Sequence, residues 1–203
     1  MKTKNKILLT ALSLFNKRGV KDVTLRQIAL EIGISQGNLN YHYKTKADLI
    51  AELYYQLVDE MNTEMEKIVQ DQAILPFLYK SSLISMQTLY NYRFILQDLY
   101  KVLETNDKLK RHYVKLQDLR KQQYLALFDQ MIQHKLIREK AFEGEYERLY
   151  ERMNILGDNW INAAFLFNIQ EDSLVSYYHQ LLFEVIFPYL TEEGRKQYFK
   201  LIP

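Results

Sequence analysis

A short polar segment near the N-terminus carries the side chains with the clearest chemistry. Residues 36–42 have the sequence QGNLNYH, in which amide, aromatic and imidazole groups follow one another closely. The amides of Gln36 and Asn38 can each pair bidentately with adenine. Tyr41 can pack on thymine methyl groups, and Gly37 allows a backbone to approach another molecule closely. These residue types at this spacing indicate contact with DNA bases and phosphates.

Two short helices joined by a tight turn are predicted to position these side chains. Thr24 is a good N-cap. It is followed by apolar residues at helical spacing, which are Leu25, Ile28, Ala29 and Ile32. Gly33 permits a sharp turn, and Ser35 can cap the second helix. Leu39 and Tyr43 fall on the face opposite the polar side chains, so we expect them in the core. The pattern is that of a helix-turn-helix.

The rest of the chain is also predicted to be helical. It contains six glycines and three prolines, and no strand-like alternation recurs along it. Helices are predicted at 3–18, 24–31, 35–41, 46–70, 74–91, 93–104, 107–136, 146–168, 172–188 and 191–200. Thr45 and Asp48 form a capping-box-like start to the helix at 46–70. We therefore expect an all-α fold, with a helix-turn-helix DNA-binding domain at 1–46 (the head) and a helical regulatory and dimerisation domain at 47–203 (the body).

Charge is divided unequally between the two parts of the chain. Residues 1–50 hold nine Lys and Arg against three Asp and Glu, a net charge of +6. The other 153 residues hold eighteen against twenty-two, a net charge of −4. A basic N-terminal part on an acidic remainder predicts a polyanionic partner for the N-terminal part only.

The N-terminal lysines and apolar run resemble a secretory signal, but details favour a helix. Thr10 and Ser13 interrupt the run, charged residues follow it directly, and no small-x-small cleavage site appears. Gly19 suits the C-cap of a helix that ends there. No apolar run approaches the roughly 20 residues needed to cross a bilayer, which predicts no membrane partner. The absence of cysteine fits a reducing compartment, and we expect a cytoplasmic protein.

Three segments of the first fifty residues resemble the tetracycline-repressor-like (TetR) family of bacterial transcription regulators. They are ILLTALSLFNKRG at 7–19, TLRQIALEIGIS at 24–35 and GNLNYHYKTKADLI at 37–50. The resemblance implies that base edges are approached by Gln36, Gly37, Asn38 and Tyr41. It implies that phosphates are held by Thr24, Arg26, His42 and Lys46. Asn40 also lies in this set, but it stands where the family usually carries an aromatic residue, so its contact with DNA stays open.

The body is expected to hold an effector site and a dimer interface. Aromatic residues are dense between residues 77 and 128 and can line a cavity for a small organic molecule, although ordinary core packing explains them as well. The candidate pocket residues are Met86, Gln87, Tyr90, Phe94, Tyr113, Gln117, Tyr124, Asn159 and Trp160. The helices near 146–168 and 172–188 are apolar over wide arcs, which favours burial against a second copy as well as the core.

The sequence thus predicts a ligand-responsive repressor that binds a palindromic operator as a homodimer. It predicts no cofactor and no metal, and no nucleophile–base pair, phosphate loop or metal-binding motif indicates an enzyme. Two alternatives stay open within DNA binding: an activator, and a regulator controlled by a protein partner. A third alternative is an all-helical protein that binds lipids or partners through its basic head and has no DNA role.

Overall fold

The computed structural model describes residues 2–68, 73–104, 106–167 and 171–202, with the backbone alone at 171–172. The helices are α1 (Thr3–Arg18), α2 (Leu25–Glu31), α3 (Gln36–His42), α4 (Lys46–Glu66), α5 (Ile74–Asn91), α6 (Arg93–Gln97), α7 (Leu99–Glu104), α8 (Asp107–Gln133), α9 (Glu145–Leu166), α10 (Glu171–Glu184), a 3-10 turn (Phe187–Tyr189) and α11 (Glu192–Tyr198). Within the described residues, the only β pairing is an isolated bridge between Ile137 and Leu190. The predicted all-α fold is confirmed.

Side-chain caps begin α2, α3 and α4 where the sequence predicts them. The Thr24 hydroxyl accepts from the backbone N–H of Gln27 at 3.2 Å, and the side-chain oxygen Oε1 of Gln27 accepts from the backbone N–H of Thr24 at 2.8 Å. Ser35 Oγ accepts from the backbone N–H of Asn38 at 3.1 Å. The predicted box of Thr45 and Asp48 opens α4 in the same reciprocal manner. These bonds satisfy N–H groups that a helix start leaves unpaired, so they fix where α2, α3 and α4 begin.

Several predicted helix boundaries differ from the structure, among them the ends of the helices predicted at 46–70 and 191–200, which lie at Glu66 and Tyr198. The helix predicted at 93–104 is broken at Asp98, which ends α6 and whose backbone oxygen begins α7. The helix predicted at 107–136 ends at Gln133, because the next residues turn back and pair with the C-terminal segment. The helix predicted at 172–188 ends at Glu184, ahead of a 3-10 turn that contains Pro188. Residues 69–70 and 168 of two other predicted helices lie outside the described residues.

Two apolar clusters form the interior. The first joins α1–α4 to α6, α7 and the start of α8, with Leu39, Leu49 and Leu53 fully buried in it. The second joins α5, the rest of α8, α9, α10 and α11. The core that supports α3 therefore extends well beyond residue 46 and includes helices of the body. The domain boundary at residues 46 and 47 remains a sequence-based prediction.

The segment between α8 and α9 is clamped to the C-terminal turn. The backbone N–H of Thr191 donates to Leu136 O at 3.0 Å, and that of Arg138 donates to Tyr189 O at 2.9 Å. A Cβ at Gly194 would lie 2.0 Å from Leu136 O, so only glycine fits there. The Arg138 guanidinium donates to both carboxylate oxygens of Glu145, at 2.9 and 2.6 Å. This clamp sets where α9 begins.

Candidate DNA-binding surface and ligand cavity

One face of α3 is exposed and polar, and the other is buried. The exposed residues of this helix are Gln36, Gly37, Asn38, Asn40 and Tyr41. The Tyr41 side chain is 86% exposed, whereas Leu39 and Tyr43 on the opposite face are 0% and 4% exposed. The prediction that Leu39 and Tyr43 lie in the core is confirmed. Because the apolar face anchors the helix, the amides and the tyrosine are held on a rigid element and turned outward.

The turn before α3 has the backbone geometry that its glycine permits. Gly33 has a φ of 72°, in the region that favours glycine. Its N–H donates to Leu30 O at 3.1 Å, and the N–H of Ile34 donates to Ala29 O at 3.0 Å. Both bonds close the end of α2, so α3 leaves α2 at a defined angle.

The four predicted phosphate-binding residues differ in their surroundings. Arg26 is exposed and makes no hydrogen bond or ion pair within the part of the chain that is described. His42 is half-buried, and its ring meets the Tyr41 ring edge-on at 5.3 Å between centroids. The Thr24 hydroxyl also donates to Gln27 Oε1 at 2.9 Å, so it is occupied within the cap. Of the four residues, Arg26 is therefore the one whose charged side chain keeps all of its N–H donors available for a phosphate.

Lys46 is engaged with the protein itself. Its ammonium donates to Val20 O at 2.6 Å and to Val23 O at 3.0 Å, across the loop that joins α1 to α2. An ammonium has three N–H donors, and two of them are used in these bonds. Lys46 thus ties the start of α4 to the loop that precedes α2, which positions the helix-turn-helix on α4.

A residue that the sequence analysis did not single out joins the head to the body. Asn16, in the last turns of α1, donates through Nδ2 to Asn91 O at 2.7 Å and accepts through Oδ1 from the Phe94 N–H at 3.1 Å. Beside it, the rings of Phe15 and Phe94 lie 5.2 Å apart. The Asn16 side chain thus makes hydrogen bonds to the backbone on both sides of the α5–α6 junction, which holds α6 directly against α1. The only indication of this contact in the sequence is that Asn16, a polar residue, directly follows Phe15 on the apolar face of the first helix.

The nine predicted pocket residues do not converge on one cavity. Phe94 lies in the core under α1, and buried Met86 packs in the core of the body. Gln87 is exposed, and Tyr90 and Trp160 pack on each other with centroids 6.1 Å apart. Gln117 and Tyr124 both contact Tyr150. The remaining two, Tyr113 and Asn159, lie close to the cavity described next. Aromatic density thus mostly reflects core packing, the alternative that the sequence leaves open.

A cavity of about 360 Å³ opens between the α6–α7 junction and α9, and we call it the α9 cavity. It is lined by Leu96, Gln97, Asp98, Leu99, Tyr100, Lys101, Asp158, Asn159 and Asn162. Asn162 Nδ2 donates to Leu96 O at 3.4 Å, so α9 is bonded to the end of α6 at this wall. The same helix that meets Asn16 on one side therefore lines the cavity on the other.

Asp158 is a half-buried carboxylate on the wall of this cavity. Its Oδ2 accepts from the Tyr113 hydroxyl at 2.8 Å and from Asn154 Nδ2 at 3.4 Å. Burial raises the pKa of the Asp158 carboxyl, and the Tyr113 hydroxyl, Arg120 and Asn154 act in the opposite direction. Asp158 was not among the site residues predicted from sequence, although it is a lone acidic residue in the apolar second half of α9.

A second depression lies on the outer face of α9 and α10, and we call it the α9–α10 groove. Its volume is about 390 Å³, and it is lined by Arg152, Ile155, Leu156, Asn159, Trp160, Ala163, Tyr178 and Leu181. The same two helices and the end of α9 expose large apolar side chains, which are Ile155 (65%), Phe165 (44%), Leu166 (78%), Phe167 (74%) and Tyr177 (47%). Such a concentration of exposed apolar surface marks an interaction face.

The described residues hold neither a helix long and apolar enough to cross a membrane nor a metal-type cluster of three His, Asp or Glu side chains. The site is thus an exposed polar helix on a turn, carried by an all-helical body with a cavity and an apolar outer face. These features define a helix-turn-helix regulator.

Residues 7–53 match the family model described as bacterial regulatory proteins, tetR family, and residues 56–198 match a model described as bacterial transcriptional repressor. The chain belongs to the tetR family of bacterial transcription regulators.

Solved structures and curated relatives agree with this assignment. A TetR-family transcriptional regulator from Marinobacter aquaeolei VT8 superposes with a TM-score of 0.86 at 26% identity, over 100% of both chains. A putative transcriptional regulator from Saccharomonospora viridis, solved in complex with choline, shares the fold with a TM-score of 0.73 at 20% identity, over 93% of this chain and 97% of that one.

Among curated proteins, an HTH-type transcriptional regulator of Staphylococcus aureus (strain bovine RF122 / ET3-1) is 27% identical over 100 residues, which are 49% of this chain and 52% of that one. AcrR of Shigella flexneri is 38% identical over 52 residues, which are 26% of this chain and 24% of that one. The chain therefore matches about half of the first relative and a quarter of the second.

Proposed function

We propose that this chain is a repressor that binds a palindromic operator through α3 as a homodimer and releases it when a small molecule binds the body. The observation that carries this proposal is the outward polar face of α3, with Leu39 and Tyr43 anchored in the core behind it. Gln36, Gly37 and Tyr41 read base edges together with Asn38. Arg26 and His42 hold phosphates beside Thr24, and Lys46 positions the head. Because its partner is DNA, the proposed regulator acts in the cytoplasm. It acts by binding DNA and not as an enzyme.

A second copy of the chain is the proposed partner of the outer face of α9 and α10. The exposed apolar side chains there would lose contact with water in a two-fold interface. A two-fold dimer places two copies of α3 about one DNA turn, roughly 34 Å, apart on the operator. At this spacing, each of the two identical heads can bind one half-site of a palindromic operator.

The α9 cavity is the proposed effector site, and α6 is the proposed link to the head. A ligand bound there touches Leu96 and Leu99 on both sides of the break at Asp98. A shift of α6 would be passed to α1 through Asn16 and Phe94, and α4 would carry it to α3. A coupling of about 1–3 kcal/mol between ligand and DNA changes operator affinity by 5- to 150-fold.

Genomic selection of bound DNA fragments tests the function directly, because it yields the operator, its symmetry and the regulated neighbours. With that operator in hand, Gln36→Ala should weaken specific binding by about 1–3 kcal/mol and leave binding to unrelated DNA largely unchanged. Asn62→Ala, an exposed amide on α4 outside the head, is the matched control and should leave both affinities unchanged. Recovery of no enriched sequence, or an equal loss on all DNA, would contradict sequence readout by α3.

Transcription from the selected promoter separates repression from activation. In a reconstituted reaction, added protein should reduce the transcript, and increased transcript would establish the activator. A small molecule that binds the body but never changes operator affinity would contradict the ligand switch and leave control by a protein partner.

A further inference from the structure

The walls of the α9 cavity carry an excess of negative charge. Asp98 and Lys101 form an ion pair with 3.4 Å between Oδ1 and Nζ, so their charges offset each other. Asp158 is the third charged residue on the wall. Within the described residues no Lys, Arg or His nitrogen lies within 4.0 Å of its carboxylate. The cavity therefore presents one carboxylate with no direct ion-pair partner among the described residues, and the more distant Arg120 only lowers its pKa.

The hydrogen bonds to Asp158 leave part of this carboxylate available. Both protein donors, Tyr113 Oη and Asn154 Nδ2, reach the same oxygen, Oδ2. A carboxylate has about four acceptor positions on its two oxygens. The second oxygen, Oδ1, has no protein donor among the described residues, so the carboxylate keeps acceptor positions for a ligand.

An aromatic ring and apolar side chains complete the cavity. The Tyr100 side chain is 74% exposed on its wall, and Leu96 and Leu99 supply apolar surface. A cation placed over a tyrosine ring is attracted by the ring's π electrons. Alkyl groups on the same cation would lie against the two leucines. A carboxylate, a tyrosine and aliphatic surface together suit an alkylated ammonium group.

The charges of the cavity disfavour an anionic ligand. An anion would meet Asp158 in a partly desolvated place, where like charges repel more strongly than in water. The one cationic side chain on the wall, Lys101, is already paired with Asp98, and its side chain is 75% exposed. A cation, by contrast, offsets a carboxylate that burial disfavours.

We propose that the effector is a small organic cation whose ammonium group pairs with the Asp158 carboxylate in the α9 cavity. This inference rests on the proposed function, because it names the class of ligand for the proposed effector site. The cavity volume of about 360 Å³ admits a molecule with a substituted ammonium and a short aliphatic or aromatic arm.

Calorimetric titration with matched probes tests the role of charge. Choline and 3,3-dimethylbutan-1-ol have the same shape, but only choline is charged, and benzyltrimethylammonium adds an aromatic arm. Choline should bind the full-length wild type at least about tenfold more tightly than the neutral alcohol, which corresponds to 1.4 kcal/mol. Asp158→Asn should abolish that preference and leave binding of the alcohol unchanged. Failure of both cations to bind at millimolar concentrations, or an unchanged preference in Asp158→Asn, would overturn the inference.

Asp98→Asn is the matched control, because it removes the same charge from the same cavity but from a paired residue. It should keep most of the preference for choline. Circular dichroism and thermal melts of each variant establish that the fold is intact. If Asp158→Asn fails to fold, Asp158→Glu, which keeps the charge on a longer side chain, should bind choline but lose about tenfold in affinity. Unchanged choline affinity in a folded Asp158→Glu would overturn the inference.

Operator affinity, measured by fluorescence anisotropy in the same samples, separates this inference from the proposed function. Asp158-dependent binding of choline that leaves operator affinity unchanged would support the cation site and contradict the ligand switch. Release of the operator by ligands that bind equally well with and without charge would support the switch and overturn the cation site.

Discussion

Gly37 is exposed in the first turn of α3, and a Cβ placed there would lie 3.9 Å from Ser35 Oγ, its nearest neighbour. Alanine therefore fits the free protein, and its greater helix propensity should raise the free energy of unfolding by about 0.5–1 kcal/mol. The added methyl group would instead stand between α3 and the DNA. We expect Gly37→Ala to weaken operator binding while it stabilises the fold, measured by anisotropy and urea unfolding.

Gly157→Ala supplies the comparison for Gly37→Ala. Gly157 lies inside α9 with no atom within 4 Å of an added Cβ, so the same stabilisation is expected there. The operator affinity of Gly157→Ala should equal that of the wild type. If Gly37→Ala also binds the operator with unchanged affinity, the backbone of α3 does not approach the DNA closely.

Lys46 yields a prediction that differs from its family-based role as a phosphate ligand. Because its ammonium is bonded to Val20 O and Val23 O, Lys46→Met should lower the free energy of unfolding by about 1–3 kcal/mol. It should weaken binding to all DNA through the displaced head while leaving the salt dependence nearly unchanged. Urea unfolding and affinities over a series of salt concentrations measure both effects.

Lys44→Met removes the same charge two residues away, where the side chain is exposed and makes no hydrogen bond or ion pair within the described residues. Its free energy of unfolding should equal that of the wild type. A decrease of about 0.9 in the salt slope for Lys46→Met, with full stability, would instead mean that Lys46 holds a phosphate.

Among the helices, those with local start and stop signals were predictable from sequence. The bounds of α1 and α5 agree with the predicted 3–18 and 74–91, because apolar periodicity, Gly19 after α1 and Pro76 in the first turn of α5 are local signals. The end of α8 was not predictable, since it depends on Leu136 O meeting the N–H of Thr191, 55 residues further along the chain. The break at Asp98 likewise lies inside a continuous helical pattern.

The candidate sites divide in the same way. The residues of α3 follow one another in sequence, so one short segment predicted both its exposed and its buried face. A cavity is made by several helices, and helical spacing does not tell which side of an aromatic faces it. Phe94 was thus assigned to a ligand pocket, although it packs against Phe15. Asp158 was missed because its significance depends on the cavity that it lines and on the absence of an ion-pair partner within 4.0 Å among the described residues, which only the packed structure reveals.

The start of α9 contains a charge pair that should make stability depend on acidity. Two bonds from Arg138 and one from the Ala141 N–H lower the pKa of Glu145 to about 2. A lowered pKa in the folded state contributes stability above the ordinary value of 4.5, and that stability is lost as the pH falls from 4.5 to about 2. Glu145→Gln should therefore melt at a lower temperature than the wild type at pH 7, and the difference should shrink toward pH 2.

Glu143→Gln is the control for this pH dependence, because Glu143 is exposed in the same segment and its carboxylate makes no ion pair within the described residues. Its melting temperature should follow that of the wild type at every pH. A Glu145→Gln deficit that stays constant between pH 7 and pH 2 would show that the glutamine disturbs packing rather than removing a charge interaction.

At the scale of the whole molecule, the two cores explain how a body could act on a head. The first core contains α6 and α7 as well as α1–α4, so the head is not a separate module joined by α4 alone. The α6 helix is bonded to α1 through Asn16 and also lines the α9 cavity through Leu96 and Gln97. A ligand there would act on α6, which contacts α1 directly, before α4 carries the shift to α3.

Dimerisation is the whole-molecule property that the proposed function needs most. Ile155 is 65% exposed on α9 and lines the α9–α10 groove, so Ile155→Glu should leave the fold of one copy intact. In a two-fold interface it would bury two unpaired carboxylates. We expect the dissociation constant of the dimer to rise at least about a hundredfold, equivalent to 2.7 kcal/mol, in sedimentation equilibrium.

Operator binding by Ile155→Glu should become weaker and should lose its requirement for both half-sites, since a single head contacts one half-site. Val114→Glu, which places the same charge at a 49% exposed position on α8, should remain dimeric and bind the full operator. If Ile155→Glu stays dimeric with unchanged affinity, the two copies meet elsewhere, and the exposed apolar face of α9 and α10 must serve a different partner.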